Sequence, residues 1–387
     1  MQTVLERLDG GKQQEETPVA TRASIDKSRR IEFLDVLRGV AAFLVLCQHC
    51  VESVSAGFMQ WTLKYVNLGE MGIVLFFIVS GFIIPVSIEK YNSLSRFWLG
   101  RVLRLWPTYL ASLLIAILLT HQHLPTSRTF RDALAVHPVR VILGNLTMVA
   151  EYIRIPMAIG AYWTLALELV FYLLCSALFL FGALRRTWTW LWASMGLLLV
   201  SQLAMALGAH KSLPAGRIGL IVTAFFGTLL YRQKSDGDLR RTILLVLPPL
   251  FAVFAVTFWV RFGLYRTVTV GPYVLEHPST LCALISWMTA YLFFLAVYLL
   301  RSRRFPRLLI WIGQISYPLY LFQALVLPAS PKTLPWPVFL LGTFATSLLL
   351  AHLTHILVEK PVARFQHRVL LRKPLAVPTA ELALPAA

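Results

Sequence analysis

The chain has 387 residues, 57% of them hydrophobic and only 14% charged, with a formal net charge of +18. So much apolar surface cannot be arranged around one soluble core, which excludes an ordinary globular protein and defines a polytopic membrane protein. The basic excess does not call for nucleic acid, because lysine and arginine collect beside the headgroups on the cytoplasmic side of membrane proteins.

Residues 1–30 mix Gln, Glu, Lys, Ser and Thr without apolar periodicity, and read as a disordered cytoplasmic tail rather than a cleavable signal peptide. Ten apolar runs long enough to cross a bilayer follow, at 33–52, 70–88, 102–120, 161–182, 188–208, 216–231, 242–260, 279–300, 308–328 and 336–357. The sixth is marginal in length, and 136–152 is apolar enough to lie on or dip into the membrane. The organisation expected is therefore a tail (1–30), a membrane domain (31–365) and a cytoplasmic tail (366–387). With both termini inside, 25 lysines and arginines fall on the cytoplasmic side and 10 outside, and Arg38 within the first span completes the 36. The expected fold class is all-α, a polytopic helix bundle with about ten transmembrane helices and both termini cytoplasmic.

Within the first span, Arg38 and His49 stand eleven residues apart in RGVAAFLVLCQH. At 100° per residue this leaves a net rotation of about 20°, so both share one helix face, about 16 Å apart along the axis. Ionisable groups at membrane depth cost a few kcal/mol each and mark pathways or catalytic sites. The plainer alternative is Arg38 snorkelling to the headgroups and His49 satisfied by a neighbouring helix. Cys47, His49 and Cys50 invite a metal reading, but they diverge around the helix, no second Cys/His group supplies further ligands, and no metal is expected.

In SLSRFWLGRVLRLWP, Arg101 and Arg104 lie one turn apart and face the same way. Two guanidinium forks at the inner mouth of a bundle suit a phosphate or pyrophosphate; the alternative is membrane anchoring. Pro107, in the next turn, bends the helix or frees a carbonyl. Glu168 is embedded in the apolar run AYWTLALELVFYLL, with Thr164 and Tyr172 on its face. A buried carboxylate needs a partner. With both groups read as lying in the outer halves of their spans, that partner is either His49, whose imidazole Glu168 would orient, or an arginine in a structural ion pair.

These segments resemble the acyltransferase family 3 integral membrane proteins over nearly the whole hydrophobic chain. The resemblance runs through FLDVLRGVAAFLVLCQH with Asp35, Arg38 and His49, GIVLFFIVSGFIIP with Ser80 and Gly81, and RVLR with Arg101 and Arg104 followed by Pro107. It continues through WTLALELVFY with Trp163 and Glu168, ISYPLYLFQ with Ser316 and Tyr320, and VEKP with Glu359 and Pro361. Each element alone is weak; six in one order make the signal. One departure stands out: Gln323 occupies a place where the family commonly carries a histidine, and glutamine cannot take a proton.

The resemblance implies transfer of an acyl group, usually acetyl, from cytosolic acyl-CoA to a hydroxyl of a surface or exported polysaccharide, oligosaccharide or glycolipid, in a bacterial cytoplasmic (inner) membrane. It implies catalytic roles for His49, Glu168 and Asp35, and substrate or acyl-CoA contacts for Arg38, Arg101, Arg104, Ser80, Trp163 and Tyr320. Acyl-CoA is a co-substrate, and no permanently bound cofactor is expected. The partners expected are acyl-CoA, the carbohydrate or glycolipid acceptor and membrane lipids. His49 serves either as general base toward the acceptor hydroxyl or as acyl carrier. The competing class is a transporter or channel-like protein, in which the same polar stripe conducts a proton, a sugar or a lipid-linked glycan. A purely structural membrane subunit, which predicts that His49 tolerates replacement, ranks last.

Overall fold

The computed structural model describes residues 18–121, 128–233, 236–265, 267–270, 273–276, 278–331 and 333–371. Its helices are α1 (Pro18–Glu52), α2 (Ala56–Lys64), α3 (Leu68–Tyr91), α4 (Leu94–His121), α5 (Arg128–Val136), α6 (Pro138–Leu146), α7 (Tyr162–Leu180), α8 (Thr187–Ala209), α9 (Ala215–Tyr231) and α10 (Asp236–Phe258). There follow α11 (Thr280–Leu299), α12 (Arg307–Gln314), α13 (Ser316–Ala329), α14 (Trp336–Thr354) and α15 (Lys360–Leu371). Eight helical stretches are long and apolar enough to cross a membrane; α12 and α13 make a ninth only as a pair bent by 70°, and α9 is a shorter apolar helix. Each of the ten expected runs thus coincides with one of these pieces, and the sixth is short, as its composition implied.

The differences from expectation have local causes. α1 begins at Pro18, inside the stretch read as a tail, because the segment after it is rich in Ala, Arg, Lys and other good helix formers and proline is well tolerated in a first turn; residues 1–17 lie outside the described residues. α15 runs on past 365, and 372–387 again lie outside the described residues. A two-stranded antiparallel ribbon, β1 (Thr267–Val270) paired with β2 (Tyr273–Glu276), precedes α11. Its β-branched run TVTV favours an extended backbone over a helix. The ninth run is broken at Ile315, because Pro318 lacks the N–H that would bond the Gln314 carbonyl and continue α12. Pro107, in contrast, sits inside an unbroken α4.

The core is built on glycines where helices meet backbone to backbone. A Cβ on Gly81 of α3 would overlap the Ala224 carbonyl of α9, and one on Gly227 of α9 would overlap the Ile78 carbonyl. Gly72 meets the Ala41 carbonyl of α1 in the same way, and Gly313 of α12 meets the Asp35 carbonyl. Small residues at crossings are how membrane helices approach closely enough for dispersion to hold them without a hydrophobic driving force. The opposite faces carry Leu114, Leu118, Leu197, Val200 and Leu207, all strongly exposed, as lipid-facing positions should be.

Contacts between connecting segments respect alternating sidedness. On one side, Arg232 donates to Glu89 (2.8 Å) and to Thr187 (2.7 Å), tying together the ends of α9, α3 and α8. On the other, Ser279 donates through its backbone to the Leu63 carbonyl (2.8 Å), and Tyr109 donates to the Asn145 carbonyl (2.6 Å). The first side, which holds the basic excess, is called inner below. The segment 136–152, read as membrane-associated, begins at the last residue of α5 and forms α6 and the turns after it, and Val136, Val139 and Leu143 leave an apolar strip on its surface.

Candidate active site

Three hollows run through the bundle in sequence. The middle one, a narrow cavity of about 90 Å³, is lined by Arg38, Ser80, Arg101, Arg104, Glu168 and Tyr320, with Phe76, Tyr172 and Tyr317 among its walls. Six of the residues singled out by motif, from five different helices, therefore share one wall. Toward the inner side it adjoins a hollow of about 260 Å³, which shares Arg38, Arg104 and Tyr317 and adds Thr108, His355, Glu359, Lys360 and Gln366. Toward the outer side, Ile73 and Tyr320 separate it from a vestibule of about 710 Å³ lined by His49, Glu70, Trp163, Arg217, Arg261 and Gln323.

The path follows helix periodicity. On α1, Arg38, Val45 and His49 fall on one face, from the middle cavity to the vestibule. On α3, Ser80, Ile73 and Glu70 do the same. On α13, Tyr317, Tyr320 and Gln323 climb from the inner hollow to the outer vestibule, and the break at Ile315 aims this short helix along the path.

The middle cavity is held rigidly. Glu168 accepts hydrogen bonds from Tyr172 (2.6 Å) and Ser80 (3.1 Å). Arg101 donates to the Ser87 hydroxyl (3.1 Å) and lies over the rings of Phe97 and Tyr172, 5.5 and 5.6 Å from their centroids. Tyr317 donates to the Leu105 carbonyl of α4 (2.9 Å), and the Tyr320 hydroxyl is paired with Thr164 (2.9 Å). Arg38 lies 4.0 Å from Asp35, whose side chain is otherwise not part of the cavity wall. Three guanidiniums face one carboxylate across this space, an excess of positive charge that an anionic ligand would neutralise.

The carboxylate beside His49 is not Glu168. His49 Nδ1 lies 3.5 Å from Glu52 Oε2, one turn further along α1. Glu52 is itself fixed by Gln48 Nε2 (2.8 Å) and the Thr62 hydroxyl (2.7 Å), while the His49 side chain is 52% exposed toward the vestibule. Glu168 belongs with the inner arginines, below Tyr320, so the reading that set it at the depth of His49 is corrected. An apolar helix gives no internal mark of depth, and Glu52 at a helix end reads in the sequence as an ordinary solvated residue.

The vestibule also holds Glu70 and Arg217, to which no motif points, beside Trp163 and Gln323. Glu70, in the first turn of α3, accepts from Trp287 (2.8 Å). Arg217 lies over the Trp163 ring at 5.2 Å and pairs with Glu151 at 2.5 Å. Gln323 is almost fully buried; its Nε2 donates to the Tyr320 carbonyl (3.3 Å), and its Oε1 has no hydrogen-bond partner among the described residues. Among the described residues, no group of three or more His, Cys, Asp or Glu side chains is arranged to hold a metal ion.

An arginine-lined cavity and a histidine-carboxylate pair thus lie in neighbouring hollows of one membrane-embedded helix bundle. The chain belongs to the acyltransferase 3 family: the acyltransferase domain profile matches residues 31–354, from the start of the first span to the end of α14. It is similar to Acyltransferase MdmB of Streptomyces mycarofaciens, with 26% identity over 155 residues, which cover 37% of this chain and 38% of that relative. The chain thus matches well under half of that relative's length. No solved structure matches it.

Proposed function

We propose that this integral membrane acyltransferase moves an acyl group, in the first instance acetyl, from cytosolic acyl-CoA to a hydroxyl of a polysaccharide, oligosaccharide or glycolipid at the outer face of a bacterial cytoplasmic membrane. The observation that carries this reading is that the arginine-lined cavity and the His49 vestibule lie back to back, with only the wall of Ile73 and Tyr320 between them. Donor phosphates meet guanidiniums at the inner end, where bidentate, charge-assisted hydrogen bonds suit them. The pantetheine arm occupies the narrow middle cavity, and the thioester reaches the level of His49.

There the neutral imidazole takes the proton of the acceptor hydroxyl as its oxygen attacks the thioester carbon. The new C–O bond forms, the C–S bond breaks, and the departing thiolate receives the proton from the imidazolium. Glu52 holds the ring and balances its transient charge. Gln323, buried in the vestibule wall, takes no proton-transfer role. The stack of Trp163 under Arg217 provides an aromatic wall suited to a sugar face.

Mass spectrometry of surface glycans and lipids from cells with and without the gene tests the acceptor class; a transporter would change their amount or location, not their acylation. Release of CoA thiol by the purified protein tests the donor.

Arg101 and Arg104 act on phosphates that do not change during the reaction, so their loss affects ground and transition states alike. Arg101→Gln and Arg104→Gln are expected to raise the KM for acyl-CoA about ten- to hundredfold, the equivalent of one charged hydrogen bond, with little change in kcat. Lysine at either position recovers only part of the loss, since it restores charge without the fork. Unaltered donor binding in both Gln variants would make these arginines mere anchors. The 25-to-10 division of basic residues predicts that both termini are cytoplasmic. Reporter fusions or protease accessibility placing either terminus outside would reverse the donor and acceptor faces.

A further inference from the structure

The last helical stretch is longer than the membrane requires. Trp336–Val369 runs for 34 residues, whereas about 20 suffice to cross the hydrocarbon, and its last part packs along α4, where Thr108 lies 3.5 Å from Glu359. This last part begins at a π-helical turn, His355–Glu359, two residues before Pro361. Widening the helix there relieves the clash that the proline ring would otherwise make with the preceding turn. The turn also brings His355 and Glu359 together at 2.7 Å, so that this carboxylate is already engaged.

Beyond the turn, α15 is two-faced. Lys360, Arg364, His367 and Arg368 recur at helical spacing and line an open groove of about 520 Å³, while Phe365 and Val369 lie on another face and are exposed. Lys360 and Ala363 belong both to this groove and to the inner hollow that contains Arg38 and Arg104. The basic face of α15 therefore borders the inner hollow that adjoins the middle cavity. α15 also lies beyond the residues that the acyltransferase family profile matches.

The dimensions of the donor decide what this face meets. An extended pantetheine arm spans roughly 15 Å from pyrophosphate oxygen to sulfur, at about 1.2 Å per bond. Arg38 and His49 are about 16 Å apart along α1. A thioester at His49 thus leaves the pyrophosphate at the level of Arg38 and Arg104, and a cavity of about 90 Å³ has no room for an adenosine beside the arm. The nucleotide end must lie outside it, toward the inner hollow.

Resting on the acyl-CoA reading above, we propose that α15 is the donor's nucleotide subsite, with Lys360 and Arg364 binding the 3′-phosphate of CoA while Arg104 takes the pyrophosphate. The same basic face would equally attract a phospholipid headgroup, because the shared chemistry is a phosphate at the membrane surface.

The test compares binding of CoA and 3′-dephospho-CoA to the purified protein in phosphatidylcholine vesicles and in vesicles that also contain phosphatidylglycerol. The parent protein is expected to prefer CoA about ten- to hundredfold. That preference should fall in Lys360→Gln and in Arg364→Gln, collapse toward unity in the double variant, and persist in Lys360→Arg, in both kinds of vesicle. A ratio measured within one variant does not depend on how much of it is folded. A preference that survives in the double variant, or is absent from the parent, overturns the proposal. So does an effect confined to phosphatidylglycerol vesicles, which would assign α15 to lipid. Failure of the parent to bind CoA in any form would instead remove the acyl-CoA reading itself, and this subsite with it.

Discussion

His49→Ala is expected to abolish acyl transfer while leaving the bundle folded and CoA binding intact. The side chain faces the vestibule, half-exposed, and pairs with Glu52, so its removal opens no core cavity. A positioned base contributes about 10²- to 10⁴-fold, and turnover should drop by at least that much. Glu52→Gln is a subtler probe. It keeps the shape that Gln48 and Thr62 hold and removes only the charge. A positioning role predicts a kcat about ten- to hundredfold lower with the KM for acyl-CoA unchanged. A role in folding would instead lower the yield of protein and leave the kcat of the folded fraction alone. Near-normal acylation of the product by His49→Ala would remove the proposed base.

Gly81→Val should cost the protein its fold. The α3–α9 crossing places the Gly81 position directly on the Ala224 carbonyl, and the Thr228 hydroxyl donates to the Gly81 carbonyl at 2.8 Å across the same contact. Overpacking a core against movable side chains costs about 1–3 kcal/mol; here the obstacle is backbone, and two helices must separate. Because α3 carries Ser80 one residue away, even a partly folded product would lose the Ser80–Glu168 hydrogen bond. Gly57→Ala, with open space around its Cβ position, is the matched control and should be neutral. Size-exclusion profiles and thermal unfolding of the two variants check the contrast. A monodisperse Gly81→Val protein melting near the parent would show that the helices do not meet this closely.

Hydrophobic runs and basic residues made the bundle readable in the sequence, because bilayer thickness fixes span length and charge marks the loops. The shared cavity was readable too: Arg38, Ser80, Arg101, Arg104, Glu168 and Tyr320 were picked from separate motifs and line one space. Depth was not readable. Nothing in WTLALELVFY says whether Glu168 stands level with Arg38 or with His49, since that depends on how α7 slides against α1. Glu52 gives no sequence signal because an acid three residues after a histidine at a helix end is commonplace; only the Gln48 and Thr62 contacts show it to be fixed. The bend at Ile315 lay hidden in a continuous apolar run, although Pro318 was its available signal. Glu70 is as silent in the sequence as Glu52, standing at a span's outer edge where a carboxylate ordinarily meets water.

The wall at Ile73 and Tyr320 also bears on the cell's energy economy. Hollows open to opposite faces of a bilayer would be a leak if they joined as one water-filled pore. Here they meet at an aliphatic side chain and a phenol whose hydroxyl is already engaged by Thr164, with Phe76 packed edge-on against the same ring at 5.8 Å. On the acyl-CoA reading proposed above, a small, uncharged acetyl group would pass such a constriction at the end of its arm, whereas a hydrated ion would have to shed its water to follow. The donor, while bound, would itself be the stopper. A cell could therefore run this reaction continuously in an energised membrane without dissipating its proton gradient.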